Sequence, residues 1–174
     1  MNTTLKKPEA KESADYYKKY IGLVDGNDFV RVLEMLMPKT AAFLNALDAA
    51  KWNYRYAEGK WSIKEVMLHV LDTERIMAYR ALCIARNDKT PLPGFEQDDY
   101  IPFMDTENRS PKSIIEEYMA VRKATIEMFR YFNDDMLNRI GTASGNPCTP
   151  RALGYIIAGH ELHHMSIIRE RYLD

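Results

Sequence analysis

Cysteine is scarce in this chain: among 174 residues only Cys83 and Cys148 carry a thiol. Two cysteines cannot build the disulfide framework of a small secreted domain, and free thiols suit a reducing compartment, so a cytoplasmic setting is expected. Long apolar runs are also missing. No stretch approaches the roughly 18 apolar residues that a membrane-spanning helix needs, so no membrane span is expected. The opening MNTTLKKPEAKES has lysines with no apolar run behind them, unlike a secretory signal. Net charge is nearly absent, because 24 Lys and Arg against 25 Asp and Glu give −1 at pH 7. Without a basic excess, neither nucleic acid nor an anionic membrane is expected as the main partner, and a small molecule is. No internal repeat, strand alternation or βαβ rhythm interrupts the pattern.

What the chain does have is material for one core, with 46% hydrophobic and 28% charged residues, ordinary for a globular domain. Four amphipathic stretches carry it. The first runs from about Asp28 to Ala49, with Val30, Leu33, Met37, Ala41 and Leu44 on one face. Pro38 falls inside and predicts a kink or two shorter helices. The second runs from Ser62 to about Asn87. Ser62 and Glu65 match a capping box, and Trp61 with Val66 a hydrophobic staple. The third, Ser110 to about Phe132, and the fourth, Thr149 to about Tyr172, each open on a hydroxyl N-cap followed by proline.

Four long helices predict an all-α fold, a four-helix bundle spanning 28–174. The second connection, Asp88 to Arg109, could reach roughly 70 Å when extended, whereas the helix before it is about 39 Å long. That connection can return along the bundle and let the second and third helices run parallel. Residues 1–27 are expected to form an N-terminal strap, partly disordered, whose Tyr16, Tyr17, Tyr20 and Ile21 pack on the bundle.

Three of the four histidines crowd into the fourth helix as GHELHH. On a helical wheel centred on Leu153, His160 and His164 fall about 20° to either side of the apolar stripe, and His163 lies at its edge. Imidazoles four residues apart can converge on one ion. His69 lies on the core side of the second helix and could supply a third nitrogen from across the bundle. The alternative is a set of core or rim histidines with ordinary hydrogen bonds. Glu161 sits about 60° from the midpoint of the His160 and His164 directions, either a candidate general base or a solvated helix-face charge. Arg80, further along the His69 face, is a candidate anchor for a carboxylate or a member of a surface salt bridge. Phe95, Tyr100 and Phe103 of the long connection either line an apolar pocket or simply pack.

The segments KWSIKEVMLHVLDTERIMAYRALCIAR, PLPGFEQDDY and PRALGYIIAGHELHHMSIIRERYL, in this order and spacing, resemble the DinB/YfiT-like superfamily. The resemblance implies an up-down-down-up four-helix bundle and a metal site of three histidines, matched here by His69, His160 and His164, with His163 as an extra. It implies a divalent metal, and zinc and nickel both suit imidazole ligation. It also implies one of three functions. The first is a metal-dependent transferase of a low-molecular-weight thiol such as bacillithiol or mycothiol. The second is a metal-dependent hydrolase, for which Glu161 would be the base. The third is a bundle that binds metal or a small molecule without turnover. A homodimer is expected by the same resemblance and by the frequency of two-fold assemblies.

Overall fold

The computed structural model describes residues 6–173. In chain order the helices and strands are α1 (Lys18–Leu23), α2 (Phe29–Asn45), α3 (Ile63–Ala85), α4 (Gln97–Tyr100), α5 (Pro111–Arg130), α6 (Asp134–Asn138), β1 (Gly141–Ala143), β2 (Asn146–Cys148) and α7 (Pro150–Tyr172). The four long helices are α2, α3, α5 and α7, and they form a helical bundle. Their starts are where the caps predict. Ser62 accepts from the Glu65 amide while the Glu65 carboxylate accepts from the Ser62 amide. Ser110 and Thr149 cap α5 and α7 through the amides of Ser113 and Ala152.

The helix ends show how these four are arranged. Lys64 at the start of α3 donates to the Thr106 carbonyl just before α5, and Arg86 after α3 lies over the Phe132 ring after α5. α3 and α5 therefore begin at the same end. Tyr172 at the end of α7 donates to the Trp61 carbonyl before α3. Phe29 at the start of α2 meets Phe129 at the end of α5 and Tyr155 early in α7.

One sequence expectation is narrowed and another needs correction. Pro38 does not divide the first helix, since α2 runs through it as one element; proline removes one backbone bond, and packing on both sides holds the rest. The fold is also not purely α. Ser144 and Gly145, both at positive φ, turn β1 antiparallel to β2, and Leu92 of the long connection joins by hydrogen bonds to Thr142 and Ser144. This patch ties the long connection to the segment before α7. The strap packs against α7, but residues 1–5, on which the expected disorder of the strap partly falls, lie outside the described residues.

The apolar core has two parts. One gathers Phe29, Leu33, Met77, Ile84, Phe129 and Ile156; the other gathers Leu44, Met67, Leu71, Ile115, Ile168 and Tyr172. In every long helix a polar residue falls between the two groups: Thr40, Glu74, Arg122 and Glu161. Arg122 is fully buried and grips Glu74 with two hydrogen bonds of 2.9 and 2.7 Å. Its third nitrogen lies 2.5 Å from Glu161. Tyr118 and Thr40 donate to the other oxygen of Glu161 at 2.8 and 2.5 Å. Burial disfavours the Arg122 charge, but Glu161 and Glu74 outweigh it and hold the guanidinium ionised.

The strap crosses α7 where Gly159 leaves room, and a Cβ there would collide with the backbone carbonyl of Tyr20. Gly159→Ala should therefore destabilise the protein by about 1–3 kcal/mol in urea unfolding, although alanine is the better helix former by about 1 kcal/mol; a net gain would contradict the close approach. Arg122→Met leaves two carboxylates unpaired in the interior and should cost about 3–5 kcal/mol. Glu161→Gln should cost less, because Arg122 keeps Glu74. Equal losses in urea unfolding would contradict this charge layer.

Candidate metal centre

The same mid-bundle level carries the histidines. His69 lies two turns into α3, and His160 and His164 are one turn apart on α7. α3 and α7 pack side by side, so the three rings meet between them. The Nε2 atom of His160 is 3.0 Å from that of His69 and 3.1 Å from that of His164. The ligating atoms of all three lie within 4.8 Å of one another. His69 and His160 are buried, and His164 is half-buried at the rim.

Burial keeps these rings neutral. It pushes His69 down to about 4. It also pushes His164 down to about 3, helped by His69, His163 and Lys19. His160 is driven well below the ordinary value by burial and then by His164, His69, His163 and Lys19. Near neutral pH each ring offers a lone pair. Either one Nε2 accepts from its two neighbours, or a cation takes all three. Nitrogens bound to one ion at about 2.0–2.1 Å sit roughly 3 Å apart, which is the spacing of His160 from His69 and from His164.

Two cavities border the cluster. One, of about 360 Å³, is walled by His69, His160, Tyr17, Tyr20, Thr73 and Met77. The other, of about 320 Å³, is walled by His164, Trp61, Val66 and Tyr172. Asp98 of α4 lines both, so the long connection lies across the open side of the three rings.

The remaining sequence candidates are distributed differently. Glu161 is no solvated charge: it is fully buried in the Arg122 layer, with its carboxylate held by Arg122, Tyr118 and Thr40. The reason is its angle on α7, which turns it toward α2 and α5 and away from the histidine faces. Arg80 forms no surface salt bridge. It is buried and donates to the Pro93 carbonyl at 2.6 Å and the Ser144 hydroxyl at 3.1 Å, so it fastens the long connection and the hairpin to α3. His163 stays outside the converging set, its ring packed against Tyr20 and His164. Phe95 lines the first cavity, Tyr100 packs on Phe95, and Phe103 stands in solvent at 89% exposure. Cys83 and Cys148 are both free, and burial raises the Cys148 thiol to about 11, leaving it protonated near neutrality.

Sequence reasoning placed the strap tyrosines among packing residues and gave Thr73 no part in a site. It missed that they wall the cavity beside His69. A signal was available for Thr73, which lies one turn from His69 on the same face. For Asp98 there was none, because its position depends on how the long connection folds.

Comparison with known proteins agrees with this architecture. The profile of the DinB superfamily matches residues 33–168. A curated protein of Oceanobacillus iheyensis, named as a candidate metal-dependent hydrolase, is 21% identical over 152 residues, covering 86% of each chain. Among solved structures, YfiT from Bacillus subtilis superposes with a TM-score of 0.73 at 17% identity, covering 94% of this chain and 90% of its own. YfiT is described as a candidate metal-dependent hydrolase with an unusual four-helix bundle topology. The mycothiol-dependent maleylpyruvate isomerase matches with a TM-score of 0.64 at 13% identity, over 79% of this chain and 58% of its own. The matched profile takes in all three converging histidines and most of the four long helices, and the chain belongs to the DinB superfamily.

Proposed function

We propose that this protein is a metal-dependent enzyme that joins a low-molecular-weight thiol to an electrophilic small molecule, with His69, His160 and His164 holding a divalent cation. The observation that carries the reading is the meeting of three uncharged imidazoles, two buried and one half-buried, with the Nε2 atom of His160 close to those of His69 and His164. The donor set fits zinc or nickel, since both favour nitrogen ligands. A cation held there supplies Lewis acidity, lowering the pKa of a thiol or water and polarising an electrophile.

The chain's own residues do the rest. The two cavities on either side of the rings give room for two reactants, which thiol transfer needs. Tyr17, Tyr20, Met77 and Trp61 give them aromatic and apolar wall. In the reaction the thiol S–H bond breaks and its proton passes to solvent, a sulfur–carbon bond forms to the electrophile, and the electrophile releases an anionic leaving group, which is chloride for 1-chloro-2,4-dinitrobenzene. Cys148 does not compete as nucleophile, because it is buried and protonated. The isomerase among the structural neighbours is named for its dependence on mycothiol, which supports a thiol as co-substrate.

A second reading, hydrolysis, is favoured by the naming of two relatives. It needs a base near the rings. Glu161 is engaged in the Arg122 layer, so the carboxylate placed for that work is Asp98, which lines both cavities. The reading also takes the helix order as up, down, down, up, supported by the end-to-end pairings of the long helices. It keeps the cytoplasm as the compartment and a homodimer as the assembly, as the sequence suggests.

Elemental analysis of purified protein should find about one equivalent of zinc or nickel per chain, and His69→Ala, His160→Ala and His164→Ala should each lower it at least tenfold. Full occupancy in all three variants would contradict the site. The metal-loaded protein should conjugate one or more of a panel of cellular thiols with 1-chloro-2,4-dinitrobenzene, and chelator treatment should abolish this. Ester hydrolysis without thiol conjugation would favour the second reading instead.

A further inference from the structure

We infer that Thr73 is a ligand-positioning residue: its hydroxyl receives the second polar group of a small molecule whose thiolate sits at the three histidines. This deepens the thiol-transfer reading and rests on it. Thr73 is 4% exposed, and its Oγ1 has no hydrogen-bond partner among the described residues. A threonine inside a helix ordinarily satisfies its hydroxyl on the carbonyl one turn back. For Thr73 that carbonyl belongs to His69, and the bond is not made. The side chain instead lines the cavity that His69 and His160 border.

A buried hydroxyl without a partner costs stability, so its retention points to a partner that arrives from outside the chain. The neighbouring walls restrict what that partner is. Tyr17, Tyr20, Met77 and Ile156 form one part of the wall, and they offer aromatic and apolar surface on which a short carbon chain fits. Residues one turn apart on a helix have Cβ atoms roughly 5–6 Å apart. Thr73 therefore stands beside His69 on the wall of one cavity, within reach of a small molecule whose sulfur is held at the three rings. The ligand class is a short thiol with a hydroxyl or amide on its carbon chain, alone or as the head of a larger molecule.

The test uses cobalt(II)-loaded protein, in which thiolate binding is read from the visible spectrum, and two matched pairs of probes. These are 2-mercaptoethanol against ethanethiol, and 3-mercapto-1-propanol against 1-propanethiol. Cobalt uptake is measured first, so that loss of the metal site is recognised separately from failure of this inference. In the wild type at least one hydroxylated thiol should bind about three- to tenfold more tightly than its plain counterpart, the worth of one hydrogen bond. Thr73→Val should erase that preference while keeping cobalt uptake, and its Tm should be equal or higher, because an unpaired hydroxyl is removed. Thr73→Ser should retain the preference. Equal affinities within both pairs in the wild type, the same preference in Thr73→Val, or no binding of any of the four thiols to cobalt-loaded protein would overturn the assignment. A marked drop in Tm for Thr73→Val would also overturn it, because it would show a structural partner for the hydroxyl.

Discussion

Three imidazoles that cannot easily take up a proton are pressed together between two helices, and the arrangement of the molecule around them follows from that constraint. Burial holds His69 and His164 far below the ordinary histidine range, so their lone pairs stay available near neutral pH. Neutral rings can approach to 3.0 and 3.1 Å; charged rings would repel. Both His69 and His160 must therefore be shielded, and the strap provides part of that shield. Tyr20 packs edge-on against the His160 ring, and the strap reaches it because Gly159 lets its backbone lie directly on α7.

The divided core has a related logic. A metal centre at mid-bundle needs α3 and α7 held at fixed spacing, and the layer next to it is the charged one. Arg122 on α5 clamps Glu74 of α3 and Glu161 of α7 together, one residue beyond His160. Buried ion pairs contribute little net stability compared with apolar packing. What this one contributes is register, because a helix slipped by one turn would lose its partner. Glu161 thus has a structural task beside the three histidines.

Much of this was legible in the sequence because it depends on local rules. Ser62 with Glu65, Ser110 with Pro111 and Thr149 with Pro150 mark helix starts through hydrogen bonds made within one turn. The convergence of His160 and His164 follows from helical periodicity alone. The parts that stayed hidden depend on contacts between distant segments. The hairpin strands are too short to alternate, and only the Ser144–Gly145 turn hints at them. Arg80 looked like a surface or substrate-facing charge, but its partners come from Pro93 and Ser144, and no spacing rule brings these together. Glu161 lies at an intermediate wheel angle, and whether that angle meets solvent or Arg122 is decided by a helix from elsewhere in the chain.

The most direct measurement is anomalous diffraction from crystals of the metal-loaded protein, recorded at the absorption edge of the bound metal. A single peak bonded to the Nε2 atoms of His69, His160 and His164, with remaining coordination positions facing the cavity that contains Thr73, is the expected result. A peak elsewhere, or three rings hydrogen-bonded to one another with no peak between them, would contradict the three-histidine centre.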